Sequence, residues 1–212
     1  MTAPETEMRA LAVASVAGPR PVLVTGGCGF IGCNLADSYL GDGEEVIILD
    51  NLSRPGVETN LAWLRGRHGD RVRHVHADLR DEGAVARAVG ESRAVFHLAA
   101  QTAVTTSLED PVADFDVNAR GTLNVLEAAR RSGRPLPVIL ASTNKIYGAL
   151  ESLDLREEAD RHVPVDAEVR RFGLSEAAAF DCCTPYGCSK GSPIAMSSTT
   201  PNPSAFRPPC CG

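Results

Sequence analysis

The run Val22-Leu23-Val24-Thr25-Gly26-Gly27-Cys28-Gly29-Phe30-Ile31-Gly32 constrains the fold more than any other part of the chain. Its apolar and β-branched start predicts a buried parallel strand, the spaced glycines predict a sharp turn, and Phe30 and Ile31 open a helix. Glycine is needed where backbone must approach a diphosphate, because a Cβ would block the contact. The first amide hydrogens of the helix have no intrahelical partner, and its N-terminus carries partial positive charge, so the turn suits an anion. Gly27, Gly29 and Gly32 also satisfy G-x-G-x-x-G. A tight turn that binds nothing would match the same spacing, and context separates the two. A second apolar strand over residues 45–49 ends in Asp50, about 20 residues past the glycines, where a carboxylate can accept hydrogen bonds from both hydroxyls of an adenosine ribose. The same carboxylate repels a 2′-phosphate, so the expected cofactor is NAD and not NADP.

From residue 21 to 142 strand and helix patterns alternate. Helices are predicted over residues 57–67, 82–89 and 111–131, and strands over 71–76, 94–98 and 136–141. Alternation of this kind predicts an α/β fold, a doubly wound, Rossmann-like parallel sheet with helices on both faces and ligands at the strand C-termini. At 212 residues the chain can form one good-sized domain, placed over 20–190 behind a loose leader at 1–19. A balance of 21 basic and 27 acidic residues argues against nucleic acid as a partner. The basic cluster Arg65, Arg67, His68, Arg71, Arg73 and His74 reads as a solvated face. No stretch is apolar enough to cross a membrane, and acidic Glu5 and Glu7 are unlike the start of a signal peptide, so a cytoplasmic protein is expected. The seven cysteines lack a disulfide-framework spacing, and the adjacent pairs at 182–183 and 210–211 chelate poorly, so reduced thiols and no metal are expected. Residues 148–183 are charged and aperiodic, and read as a substrate-contacting loop or a disordered excursion.

A second group lies in Tyr186-Gly187-Cys188-Ser189-Lys190. Thr184 is a reasonable N-cap and Pro185 a good first helical residue, so the phenol and ammonium, four apart, share a helix face. A lysine cation beside tyrosine favours the phenolate, which suits a general base near neutral pH. Upstream, Ser142 or Thr143 offers a hydroxyl at the end of the fifth strand, which with Tyr186 could hold an alcohol oxygen while hydride moves to a nicotinamide. A plain helix cap with a surface lysine is the competing reading.

At these residues the chain resembles the extended short-chain dehydrogenase/reductases, the NAD-dependent epimerase/dehydratase family. Asp50-Asn51-Leu52-Ser53-Arg54, His97-Leu98-Ala99-Ala100-Gln101, Ser142-Thr143-Asn144-Lys145 and the Tyr186–Lys190 block are similar to nucleotide-sugar epimerases of the CDP-paratose 2-epimerase type. The resemblance implies cofactor contacts from Gly26, Gly29, Phe30, Ile31 and Gly32 at the diphosphate, and from Asp50 and Asn51 at the ribose. It adds Asp78 and Leu79 beside adenine, then Leu98, Ala99 and Gln101 along the cofactor. Thr143, Tyr186 and Lys190 become the catalytic hydroxyl, base and lysine; Tyr186 and Lys190 also touch the cofactor, and Thr143 and Asn144 touch substrate. Sugar 4,6-dehydratases in the family carry an acidic pair after the catalytic threonine. Here Asn144 and Lys145 stand there, and neither can perform that elimination, so the implied activity is epimerisation of a nucleotide sugar, with a UDP-sugar 4-epimerase as the alternative.

After Lys190 the resemblance stops. The last 22 residues are an atypical tail rich in Pro, Ser and Thr, with no substrate domain, as expected of a truncated or frame-shifted end. Pro193 is expected to end or kink the Tyr–Lys helix, leaving Lys190 on a fraying turn. Family dimers pack this helix with the long 111–131 helix, so a homodimer is possible only through a shortened interface. A non-catalytic NAD-binding module is the reading from a different class.

Overall fold

The structure, a computed structural model, describes residues 20–199. The leader expected at 1–19 and the end of the expected tail, 200–212, lie outside the described residues. β1 (Val22–Thr25) leads through the glycine turn into α1 (Phe30–Gly41). Next come β2 (Val46–Leu49), α2 (Val57–His68), β3 (Val72–Val75), α3 (Glu82–Glu91) and β4 (Ala94–His97). β1 and β2 are buried at every position, which is why both read as runs of apolar or β-branched residues: helices cover both faces of the sheet.

After β4 comes α4 (Val104–Glu109), a short helix that the sequence pattern does not announce. The long helix follows as α5 (Pro111–Phe115), a π-helical turn (Asp116–Arg120) and α6 (Gly121–Arg131). It starts where Asp110 accepts a hydrogen bond from the Ala113 amide, with Pro111 at the first helical position. β5 (Val138–Leu140) completes a parallel sheet of order β3-β2-β1-β4-β5, and among the described residues β5 is an edge, with Ile139 exposed. The winding reverses between β1 and β4, which opens the ligand crevice of a doubly wound sheet at their carboxyl ends.

Two corrections concern the second half. Residues 148–183 hold the antiparallel pair β6 (Leu155–Glu157) and β7 (His162–Pro164), then α7 (Ala167–Phe172). Strands of three residues are too short to show alternation, although Asp166, which caps α7 by accepting from the Glu168 and Val169 amides, was a readable start signal. The second correction is α8, which runs Pro185–Thr199 and so does not end at Pro193. Its packing against α4, α5, the π turn and α6 overrides the one lost backbone hydrogen bond, and Lys190 sits mid-helix instead of on a fraying end.

The basic cluster around residues 65–74 is partly consumed internally. Arg67 and His68 both reach Asp37, at 3.2 and 2.6 Å, Arg71 donates to the Leu40 carbonyl, and Arg73 pairs with Glu91. Among the described residues no helix is long and apolar enough to cross a membrane, and no group of three His, Cys, Asp or Glu side chains could hold a metal. Cys28, Cys33, Cys182, Cys183 and Cys188 are free thiols.

Candidate active site

The glycines of the first turn answer to different demands. Gly26 has φ +67°, and a Cβ on it would lie 2.7 Å from the Ala99 backbone at the end of β4. At Gly32 a Cβ would lie 2.3 Å from the Gly26 carbonyl oxygen, so this glycine lets α1 pack onto the turn. Gly29 is different: a Cβ there meets only the Gly26 oxygen, at 3.3 Å. Its neighbours Phe30 and Ile31 are 83% and 65% exposed, so the helix N-terminus with its free amides opens outward. That is a cradle a diphosphate fits and a side chain would begin to fill.

Asp50 closes the crevice on the β2 side. One carboxylate oxygen accepts from the Cys28 amide at 3.0 Å and the other from the Leu52 amide at 2.9 Å. Each oxygen keeps a second acceptor site for a ribose hydroxyl. Asn51 donates to Asp78 at 2.8 Å, and the Arg80 guanidinium grips Asp78 through both oxygens, holding its carboxyl down at about 2. Leu79 is buried and packs under Gly121, where a Cβ would approach to 2.7 Å. Burial, reinforced by Asp50, pushes the Cys28 thiol up to about 12, which removes it as a nucleophile.

The floor is a buried column on His97. Its Nδ1 lies 2.7 Å from the Thr25 hydroxyl and its Nε2 2.9 Å from that of Thr122. Thr122 donates its own proton to the Asn118 carbonyl, and Thr25 accepts from the Leu98 and Ala99 amides. Only the Nε2–H tautomer satisfies every group, with Thr25 donating to Nδ1. Burial, then the nearby Lys190 charge, pulls His97 from 6.5 down to about 3. Between those values the unfolded chain binds the proton more readily, so stability present above about pH 6.5 is lost as pH falls towards 3. Thermal unfolding between pH 6.5 and 4.5, above the window where Asp78 titrates, should show a falling midpoint that flattens in His97→Asn. Equal slopes in both proteins would contradict the assignment.

α8 carries Tyr186 and Lys190, 8% and 6% exposed. Lys190 Nζ donates to the Ala141 carbonyl at 2.7 Å, which ties α8 to the chain just past β5. Two residues on, half-buried Thr143 caps the 3-10 turn Asn144–Tyr147 by accepting from the Lys145 amide. A Cβ on Gly187 would lie 2.8 Å from the Lys145 carbonyl, so glycine permits α8 to press against that turn. Asn144 and Lys145 are exposed. Burial pulls Lys190 from 10.5 down to about 8, while the Asp114 carboxylate acts in the opposite sense.

The structure therefore brings Lys190 and the segment bearing Thr143 into contact, and sets Gln101 in a network with α5 and the π turn. Gln101 donates to Asp114 at 3.0 Å, and its amide is accepted by the Asn118 side chain at 2.9 Å. Sequence reasoning passed over Asp114, Asn118, Thr122 and Ser189, all buried. A signal existed: 114, 118 and 122 share the helical stripe of Val125 and Ala129, and polar residues on a buried stripe require partners.

Over residues 23–199 the sequence matches the family described as GDP-mannose 4,6 dehydratase. CDP-paratose 2-epimerase of Salmonella typhi is 43% identical over 172 residues, which cover 80% of this chain and 49% of that protein. A dTDP-glucose 4,6-dehydratase of Mycobacterium tuberculosis is 35% identical over 185 residues, 78% of this chain and 54% of its own. The crystal structure of Thermus thermophilus UDP-glucose 4-epimerase in complex with NAD superposes with a TM-score of 0.64 at 36% identity, covering 84% of this chain and 50% of that one. The chain thus spans about half the length of the relatives it matches.

Proposed function

Since the chain belongs to the GDP-mannose 4,6 dehydratase family, within the NAD-dependent epimerases and dehydratases of the short-chain dehydrogenase/reductase class, we propose that it carries the cofactor-binding and catalytic half of an NAD-dependent nucleotide-sugar epimerase. The observation that carries this reading is the Lys190–Ala141 hydrogen bond, which holds the Tyr186–Lys190 helix beside Thr143 at the carboxyl edge of the sheet. Gly26, Gly29, Phe30, Ile31 and Gly32 would hold the NAD diphosphate. Asp50 and Asn51 would hold the ribose, Asp78 and Leu79 would flank adenine, and Leu98, Ala99 and Gln101 would line the rest. Bound NAD supplies the hydride acceptor and donor.

The chain's own groups move the proton. Thr143 hydrogen-bonds the sugar hydroxyl, with Asn144 beside it, while the Tyr186 phenolate removes the hydroxyl proton as the carbinol becomes a ketone. Lys190, cationic and close by, keeps the phenolate available. Return of the proton from Tyr186 completes reduction on the other face. Asn144 and Lys145 argue against dehydration, because an amide cannot protonate a leaving hydroxyl and an ammonium cannot take a carbon-bound proton. A CDP-paratose-like sugar is the first candidate, in view of the Salmonella relative, and a UDP-sugar the second, in view of the 4-epimerases. The free thiols suit the cytoplasm, and exposed Phe115 and Leu123 on the long helix suit a homodimer that packs it against α8.

NMR of CDP-, UDP- and dTDP-hexoses incubated with the protein and NAD tests the reading. Inversion at one carbon without a 4-keto-6-deoxy product is expected. Accumulation of that product would overturn it in favour of a dehydratase. Tight NAD binding with every sugar unchanged would instead leave a non-catalytic NAD-binding module.

A further inference from the structure

Among the described Asp, Glu, His, Lys and Arg side chains four are buried: Arg93, His97, Asp114 and Lys190. Arg93 pairs with Glu44 at 2.7 Å, and His97 is neutral, held between two threonine hydroxyls. That leaves one buried carboxylate and one buried ammonium. Burying either charge alone is costly, and burying both is tolerable when they compensate each other.

Asp114 reaches α8 directly. One of its oxygens accepts from the Ser189 hydroxyl at 2.5 Å, and the other accepts from the Gln101 and Asn118 amides at 3.0 and 3.1 Å. All three donors are uncharged, so none of them offsets a charge on the carboxylate. Ser189 immediately precedes Lys190, and its hydroxyl also accepts from Asn118 at 3.1 Å. The other charges on elements packed against α8 lie outside this pocket. Glu109 and Lys145 are exposed, Asp116 pairs with Arg120, and Glu127 pairs with Arg130 and Arg131.

We propose that Asp114 is a positioning residue of the site. Its carboxylate fixes α8 through Ser189 and serves as the buried counter-charge of the Lys190 ammonium. Gln101 then links the cofactor-lining loop after β4 to the same carboxylate, so the lysine and that loop are held by one anchor. The inference rests on reading Lys190 as the cation of the site, yet it is tested without cofactor, sugar or turnover.

The chain has two lysines, Lys145 and Lys190, so lysine labelled with ¹³C and ¹⁵N gives two side-chain signals, assigned with Lys145→Arg. Burial alone depresses the Lys190 titration and Asp114 opposes it. In Asp114→Asn the Lys190 midpoint should therefore fall by about one pH unit or more, whereas Ser189→Ala, which keeps the carboxylate, should move it by less than half as much. An unmoved midpoint in folded Asp114→Asn would overturn the proposal, as would equal shifts in both variants. Should Asp114→Asn not fold, the unsubstituted protein decides: the Asp114 carboxyl ¹³C signal must step at the Lys190 midpoint. A flat trace there would also overturn it. Failure of sugar turnover with this coupling intact would count against the epimerase reading alone.

Discussion

Gly32→Ala is expected to destabilise the fold by at least about 3 kcal/mol, lowering the unfolding midpoint by roughly 6–12 °C, and to abolish NAD binding. The new methyl carbon would lie 2.3 Å from the Gly26 carbonyl oxygen and 2.7 Å from the Gly27 Cα, both backbone atoms with no rotamer to yield. Relief requires α1 to move off the turn, which separates the helix N-terminus from the glycines it completes. Gly66→Ala is the matched control. It lies inside α2, exposed, with nothing within 4 Å of the added carbon, so the gain in helix propensity should stabilise by about 0.5–1 kcal/mol. Thermal unfolding of the two variants side by side checks both signs. A Gly32→Ala protein as stable as the parent would refute the packing account of the turn.

Tyr186→Phe should reduce epimerisation by about 10²–10⁴-fold while leaving NAD affinity and unfolding temperature close to those of the parent. The ring is buried in α8, and phenylalanine preserves that packing, so only the phenolic oxygen is lost. Turnover rates and NAD titrations on the same preparation separate loss of chemistry from loss of structure. Equal turnover would remove Tyr186 as the base. Equal loss of NAD binding would make it a binding residue and not a proton carrier.

The first half of the molecule was legible because burial on both faces writes itself into sequence. β2 is apolar throughout and β1 is apolar up to β-branched Thr25, the glycines have steric reasons that spacing reveals, and Asp50 follows directly on its strand. The second half was less so. α4 and the β6–β7 pair are too short for periodicity to register, and the helix packing that carries α8 beyond Pro193 is not written in the local sequence. Asp114 and Ser189 escaped for another reason. A polar residue on a buried stripe shows that a partner exists, but only the fold shows that Asp114 meets Ser189, 75 positions away.

The central claim is that the glycine turn and Asp50 form a dinucleotide crevice that selects NAD. Thermal unfolding with NAD, and with NADP as the comparison, tests it most directly. At ~100 times its dissociation constant, NAD should add about 2.7 kcal/mol, a rise of roughly 5–10 °C, and NADP at the same concentration should add far less. No shift with NAD, or equal shifts with both nucleotides, would contradict it.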